Sequence, residues 1–256
     1  MTPPRAAPPT DEMLEDCLQA VHRLEGQGRN ASATEVAAFA RITPETAEAV
    51  LRELGTRGLL QTDSPNGATL TIEGRRQAAG ILRRHRLSER LFADILGLSW
   101  DRVHDEAMRL EHALTPEAEA RLATLLKNPE TCPHGGPIPE TNGSVAPPPT
   151  CSLNLVAAGS RVQIQQIMEE EPTFLRYLAS LGLLPRAEIC VEEVAPFGGP
   201  LLVRVGDAKY AIGRDVAAKI LVQEAWQPPE PQILHRRRRH GWARHGAEDD
   251  THGERK

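Results

Sequence analysis

The chain has 256 residues, a hydrophobic content of 40%, an aromatic content of 4% and a formal net charge of −5. This length and composition are typical of one or two globular domains and exclude a wholly disordered chain. Because the four cysteines form no C-x-x-C pair and no apolar run reaches membrane-spanning length, we expect a reduced, soluble, cytoplasmic protein without a membrane partner.

Residues 11–74 predict a winged helix-turn-helix DNA-binding domain that begins with three helices. Apolar residues recur at helical spacing over residues 11–26, and Ser32 or Thr34 offers an N-cap for a second helix. Thr43 is the N-cap candidate of a third helix, because a proline follows it at the first helical position. This third helix is the candidate recognition helix.

A β-hairpin is predicted directly after these helices. In LLQTDSPNGATLTI, residues 59–72, two short β-prone runs flank the turn sequence Pro-Asn-Gly. Three helices followed by a hairpin is the element order of a winged helix-turn-helix, in which the hairpin forms the wing.

The middle of the chain predicts a helical domain. Apolar spacing and capping residues indicate helices over about residues 73–96, 100–113 and 115–127. We assign residues 75–140 to a helical domain, which after a winged head would make a natural dimerisation and effector unit. Proline and glycine then become frequent, and we assign residues 141–150 to a linker.

The C-terminal part predicts a second small domain over residues 151–224. Runs such as RVQIQQI, EICVEEV and LLVRVG are β-rich, and one helix is expected near residues 172–181. This pattern is typical of a small, partly open β-barrel, so the fold class is α+β. The tail, residues 225–256, is first basic and then acidic, and we expect it to be disordered.

The stretch HDEAMRLEH, residues 104–112, places polar groups where a helix should be apolar. His104, Met108, Glu111 and His112 fall within a sector of roughly 100° on one helix face. Burying two imidazoles and a carboxylate is costly unless something pairs them, and a divalent metal ion would do so.

A second ligand pattern lies on the preceding helix, where His85 and Glu89 are one turn apart. Two neighbouring helices therefore predict two metal sites. The alternative interpretation is a set of solvated polar residues around a core methionine. We assign Cys132 and His134, which are also close in sequence, to a structural loop without a ligand role.

Residues 85–122, HRLSERLFADILGLSWDRVHDEAMRLEHALTPEAEARL, resemble the iron- and manganese-dependent repressors of the diphtheria toxin repressor family. CPHGGPIP, residues 132–139, is similar to the loop that follows the dimerisation helices of that family. LASLGLLPRAEICVEEVAPFGGPLLVRVG resembles the FeoA module of ferrous transport. The resemblance covers about residues 11–222 and implies a winged head, dimerisation helices and a C-terminal SH3-like barrel.

The resemblance implies two metal sites per protomer. The primary, regulatory site would use Met108, Glu111 and His112, joined by Asp16 from the first helix. The alternatives for this last ligand are Glu12, Met13 and Glu15. The ancillary site would use His85, Glu89 and His104, joined by Glu171 from the C-terminal domain.

The residues at the primary site match neither familiar variant of the family. Members of the iron type have Met where Asp16 stands and Cys where Met108 stands. Members of the manganese type share the aspartate but tend to have carboxylates where Gln19 and Met108 stand. Because a thioether is a soft ligand, we expect Fe²⁺ to be favoured, with Mn²⁺ as the alternative.

The expected DNA contacts lie on the recognition helix, beside it and at the wing. Two acids near the start of that helix are unhelpful next to phosphates, although Glu can accept a hydrogen bond from cytosine. Residues 75–90, with six Arg and one Glu, add a local basic patch. The candidate residues are Thr43, Glu45, Thr46, Glu48, Arg52, Arg41, Arg57 and Asn66.

These features predict a metal-dependent transcriptional regulator that represses metal-uptake genes and binds two-fold operator DNA as a homodimer. The alternative is a metal-binding or ferrous-transport accessory protein whose head no longer reads DNA specifically. An enzyme is not expected, because the sequence has no H-E-x-x-H, nucleophile elbow or phosphate-binding loop.

Overall fold

A computed structural model describes residues 8–61, 67–145 and 149–224. The wing residue Asn66 and the predicted tail, residues 225–256, lie outside this part of the chain. Among the helices that the structure describes, none is both long and apolar enough to cross a membrane.

The N-terminal part contains the three predicted helices and the hairpin. The helices are α1 (Asp11–Gly26), α2 (Ala33–Ala40) and α3 (Pro44–Thr56), and each is capped by the hydroxyl of the preceding residue: Thr10, Ser32 and Thr43. Strands β1 (Leu60–Gln61) and β2 (Thr69–Leu70) pair in antiparallel register.

One apolar core holds these elements together. Leu18 and Leu24 of α1 and Val50 and Leu54 of α3 are almost completely buried in it, and Leu70 of β2 lies in the same cluster. The apolar stripe of α1 faces this core. Polar residues of α1 such as Asp16 therefore lie on the side of the helix that faces the central helices.

The central helices begin with α4 (Ile72–Arg90), which continues as a π-helical turn over Leu91–Ile95. Gly97 follows with a positive φ of 69°, which glycine adopts without strain. Helix α5 (Val103–Leu110) then ends in a 3₁₀ turn over Glu111–Ala113, and α6 (Pro116–Leu125) starts after Thr115. The predicted helix over residues 100–113 is therefore shorter, and the last two residues of HDEAMRLEH lie in the tighter turn.

The C-terminal part is a six-stranded antiparallel sheet in the order β3-β8-β4-β5-β6-β7. The described pairings do not join β3 to β7, so the predicted barrel is an open sheet. Its strands and helices are β3 (Cys151–Ser152), β4 (Arg161–Ile167), α7 (Pro172–Ser180), β5 (Glu188–Val194), β6 (Leu201–Val205), β7 (Ala208–Ile212), α8 (Arg214–Ala218) and β8 (Ile220–Glu224).

Candidate metal centre

The first group of polar side chains lies where α1 meets the 3₁₀ turn after α5. Asp16, Glu111 and His112 each bring a ligand atom to within 4.8 Å of the other two. His112 Nε2 lies 3.1 Å from Asp16 Oδ1, and its Nδ1 lies 2.7 Å from Glu15 Oε2. Met108 lines the same cavity as Asp16. The helix of the head and the helical domain thus meet through acidic groups and an imidazole.

The charges of this first group depend on one another. The carboxylates of Asp16 and Glu15 raise the pKa of His112 to about 10, although partial burial acts in the opposite direction. The contact with His112 in turn lowers the pKa of Glu15. A protonated His112 therefore partly neutralises the acids in the metal-free protein.

The second group lies on α4 and α5. His85 contacts Glu111 through Nδ1, while its Nε2 lies 3.1 Å from His104 Nδ1 and 3.2 Å from Glu89 Oε1. Burial alone would lower the pKa of His85, but Glu89 and Glu111 raise it to about 10. His85 is thus in contact with residues of both predicted sites.

The C-terminal part contributes Glu170 to the second group, not Glu171. Glu170 Oε2 lies 3.2 Å from His104 Nδ1, and Glu170 forms a candidate ligand cluster with His85 and His104. The carboxylate of Glu171 instead caps α7, where it accepts hydrogen bonds from the backbone amides of Thr173 and Phe174. Glu171 lies away from His104 because it is the N-cap of a helix that begins with proline, so the carboxylate beside His104 is Glu170 and not the predicted Glu171.

A third group consists of Glu89, Cys132 and His134, all of which are buried. His134 Nδ1 lies 3.3 Å from Glu89 Oε1, while Nε2 is 2.8 Å from the carbonyl oxygen of Trp100. Donation from Nε2–H to that carbonyl would leave Nδ1 of a neutral imidazole free to act as a ligand. The loop assigned to structure alone thus carries a metal-ligand pattern. In the sequence, the short spacing of Cys and His in CPHGG is the signal from which this group of ligands could have been predicted.

Unpaired buried atoms indicate that these groups suit a cation. Apart from Asn154 Oδ1, the buried side-chain atoms without a hydrogen-bond partner in the described residues belong to this region. They are Asp16 Oδ1, both carboxylate oxygens of Glu89, Glu111 Oε1 and His134 Nδ1. Two of these oxygens still lie close to an imidazole nitrogen: Asp16 Oδ1 is 3.1 Å from His112 Nε2, and Glu89 Oε1 is 3.2 Å from His85 Nε2. Buried carboxylate oxygens are costly to leave unpaired, and a divalent cation bound by oxygen and imidazole ligands would satisfy them.

One cavity of about 630 Å³ reaches part of the first and second groups. Asp16, Met108, His85, His104 and Glu170 are among the residues that line it. Residues of both predicted sites thus share one opening, which would give hydrated ions a route to them.

The described DNA-contact candidates are mostly on the surface of the head. Glu45, Glu48 and Arg52 of α3 are exposed. Thr43 caps α3 by accepting a hydrogen bond from the amide of Thr46. Two of the arginines among these candidates already pair with acids: Arg41 lies 3.1 Å from Asp105, and Arg57 lies 2.9 Å from Glu53.

Gly135 fixes the loop that carries Cys132 and His134 against the C-terminal sheet. The amide of Ile167 donates to the His134 carbonyl over 2.9 Å, and Gly135 has a φ of +85°. A Cβ atom at Gly135 would lie 1.8 Å from the carbonyl oxygen of Gln165. An alanine cannot fit there without moving the backbone of β4.

We therefore expect Gly135→Ala to lower the free energy of unfolding by at least about 2 kcal/mol, because strained backbone and a backbone clash combine. Thermal unfolding followed by circular dichroism measures this loss. Gly80→Ala is the matched control, since the space around Gly80 of α4 is open and alanine favours a helix. Equal unfolding temperatures for the two variants would contradict the close packing of this loop.

The comparisons with known proteins agree with this architecture. The model of the iron-dependent repressor metal-binding and dimerisation domain matches residues 71–140, and the FeoA domain model matches residues 151–224. The chain is 31% identical over 225 residues to the iron-dependent repressor IdeR of Mycobacterium tuberculosis, covering 83% of this chain and 97% of that protein. It is 28% identical over 223 residues to the diphtheria toxin repressor of Corynebacterium diphtheriae, again covering 83% and 97%.

Solved structures give the same result. A manganese-dependent transcriptional repressor in complex with manganese superimposes with a TM-score of 0.76 at 32% identity, covering 83% of this chain and all of that chain. IdeR of T. acidophilum superimposes with a TM-score of 0.71 at 27% identity, covering 86% and 100%. Relatives named for iron and for manganese are thus both similar to this chain over most of its length.

Proposed function

Because the chain belongs to the iron-dependent repressor family, whose members are metal-dependent transcriptional repressors and not enzymes, we propose that it represses metal-uptake genes. In this proposal a homodimer binds two-fold operator DNA when loaded with metal, and Fe²⁺ is favoured over Mn²⁺.

The observation that carries the proposal is the meeting of Asp16, from the head, with Glu111 and His112, from the helical domain. Buried oxygens of Asp16 and Glu111 have no hydrogen-bond partner there. A bound divalent cation would supply positive charge to this group and so hold α1 against the end of α5. Since α1 packs on α3 in one core, fixing α1 also fixes the direction in which the recognition helix projects. In a dimer, that direction sets the spacing of the two recognition helices.

The primary ligand set in this proposal is Asp16, Met108, Glu111 and His112. The oxygen and imidazole donors suit either Fe²⁺ or Mn²⁺, whereas the thioether of Met108 is better tolerated by Fe²⁺. Glu15, which contacts His112 through Oε2 and Arg84 through Oε1, is a candidate for a further oxygen donor. The ancillary set is His85, Glu89 and His104, completed by Glu170, and Cys132 with His134 offers an alternative partner set for Glu89.

A DNA-binding titration tests the proposed function. The full-length protein is titrated onto its own promoter and onto promoters of iron-uptake operons, anaerobically, with Fe²⁺, with Mn²⁺ and with neither. We expect tight binding with Fe²⁺, weaker activation by Mn²⁺ and little binding without metal. Binding that does not depend on either metal would overturn the proposal.

The same titration separates the second candidate function, a metal-binding accessory protein. That candidate is favoured by the acids Glu45 and Glu48 on the exposed face of α3 and by the ion pairs of Arg41 and Arg57. Acidic groups near phosphates weaken DNA binding, and arginines already paired contribute less to it. Stoichiometric metal binding without any metal-dependent DNA binding is the result that this candidate predicts.

Metal binding at the primary site is expected to release a proton from His112. The metal-free imidazole, whose pKa is raised to about 10, is protonated at neutral pH, whereas a metal ligand must be neutral. The apparent affinity should therefore rise with pH, by up to about tenfold per pH unit for each proton released, and level off only as pH approaches that pKa.

Mn²⁺ titrations between about pH 6.5 and pH 8.5 measure this dependence. His112→Gln should bind more weakly and show a shallower pH dependence, since it has no proton to release. A wild-type affinity that stays constant over this range would contradict the assigned charge state of His112.

A further inference from the structure

Arg23 of α1 pairs with a predicted ligand of the ancillary site. Its Nη1 lies 2.8 Å from Glu170 Oε2, and its Nη2 donates to the carbonyl oxygen of Met168 over 3.2 Å. The guanidinium also lies 5.2 Å from the centre of the Phe39 ring on α2. Two contacts, with Glu170 and Met168, thus hold one charged group of the head against the C-terminal domain, while Phe39 of the head packs on the same group.

The oxygen that Arg23 contacts is the same one that faces the candidate metal ligands. Glu170 Oε2 lies 3.2 Å from His104 Nδ1, and His104 Nδ1 lies 3.1 Å from His85 Nε2. The Glu170 side chain is only 17% exposed, and that of Arg23 is 31% exposed. Because the pair is largely screened from water, its mutual attraction is stronger than that of a surface ion pair.

The described salt bridges of Glu170 are with Arg23 and His104. The neighbouring cations are engaged elsewhere: Lys219 pairs with Glu169, and Arg29 pairs with Glu35. Arg23 is therefore the permanent positive charge that offsets the Glu170 carboxylate in the metal-free protein.

We propose that Arg23 is a built-in competitor for the ancillary metal site, occupying Glu170 in the metal-free protein and so raising the metal concentration at which this site fills. The inference rests on the proposed function, because it takes Glu170 as a ligand of that site. The carboxylate has to exchange the guanidinium for the ion, while Arg23 keeps its contacts with Met168 and Phe39. Arg23 thereby sets the metal threshold without being a ligand itself.

The exchange also links the head to the C-terminal domain. Arg23 lies on α1, one helix with Asp16, whereas Glu170 lies between β4 and α7. Occupation of Glu170 by Arg23 adds an ion pair between α1 and the C-terminal domain, and the exchange leaves the hydrogen bond to Met168 to hold that end of the helix. The ancillary site and the orientation of the head are thus coupled through one ion pair.

Mn²⁺ binding to the full-length protein tests the proposal, with free Mn²⁺ counted by electron paramagnetic resonance. The test variant is Arg23→Met, which keeps the aliphatic stem on Phe39 but removes the charge. We expect the site that contains Glu170 to bind Mn²⁺ about tenfold more tightly in R23M, equivalent to about 1.4 kcal/mol. R23K, which keeps a positive charge, should stay close to wild type.

Two further proteins provide the controls. Arg29→Met removes a nearby arginine that lines the same cavity but pairs with Glu35, and it should leave Mn²⁺ binding unchanged. In a Glu170→Gln background, R23M should no longer increase the affinity, because the carboxylate that the two cations share is absent. Thermal unfolding of each metal-free variant confirms that it is folded.

The outcomes separate the inference from the proposed function. R23M with unchanged or weaker Mn²⁺ binding, alongside an E170Q protein that has lost affinity at one site, overturns the competition and leaves the ligand set intact. An increase that persists in the E170Q background also overturns it. An E170Q protein that binds Mn²⁺ like wild type removes Glu170 from the ligand set and overturns the competition, whereas the proposed function, which rests on Asp16, Glu111 and His112, is decided by the DNA titration.

Discussion

Replacing Glu111 with glutamine is expected to lower metal affinity at the primary site by more than about 100-fold, since even the loss of a group that only supports a ligand costs 10–100-fold. Glu111 is completely buried, and its Oε1 has no hydrogen-bond partner among the described residues. Glutamine has the same shape but lacks the negative charge that a divalent cation needs. The variant should therefore also lose its metal-dependent binding to DNA.

Metal titration and DNA titration of the E111Q protein measure the two losses. Glu117→Gln is the matched control, because Glu117 is 75% exposed and its salt bridge among the described residues is with Arg121 at the surface. The control should behave like wild type in both titrations. An E111Q protein that is folded and still responds fully to metal would show that the primary site has been assigned to the wrong residues.

Replacing Met108 with glutamate is expected to shift the ratio of Mn²⁺ to Fe²⁺ affinity towards Mn²⁺ by at least about tenfold, because a carboxylate is a hard ligand and a thioether a soft one. Met108 is half-buried and lines the same cavity as Asp16, so an acidic side chain of similar length has room to face the metal centre. The added negative charge should strengthen the binding of both ions while favouring Mn²⁺ more.

The metal concentration that gives half-maximal DNA binding, measured for each ion in turn, reports this shift. Met108→Leu keeps most of the volume but removes the sulfur. It should therefore weaken Fe²⁺ binding without strengthening Mn²⁺ binding. If M108E ranks the two ions as wild type does, ligand softness at position 108 does not determine the preference. If M108L binds Fe²⁺ like wild type, the thioether is not a ligand.

Local signals predicted most of the helical architecture. Thr43 followed by proline predicted the start of α3, and the structure shows the Thr43 hydroxyl capping that helix. The spacing of apolar residues predicted α1 over its observed length. The family resemblance placed Asp16 near Glu111 and His112, and the structure brings the three together. Their role as metal ligands stays a prediction.

Contacts between segments that are distant in the sequence were harder to predict. Three glutamates follow one another at residues 169–171, between β4 and α7. The path of the backbone there places Glu170 beside His104, whereas Glu171 caps α7. The approach of His134 to Glu89 depends on packing of a loop against the C-terminal sheet. The ion pair of Arg23 and Glu170 joins residues 147 positions apart, and no local pattern predicts such a pair.

The most direct test of the metal centre is anomalous X-ray diffraction from crystals of the full-length protein loaded with Fe²⁺ or Mn²⁺. We predict one strong anomalous peak among Asp16, Met108, Glu111 and His112, and a second beside His85, His104 and Glu170. A fully loaded crystal with metal only at Glu89, Cys132 and His134, and none between α1 and α5, would contradict it.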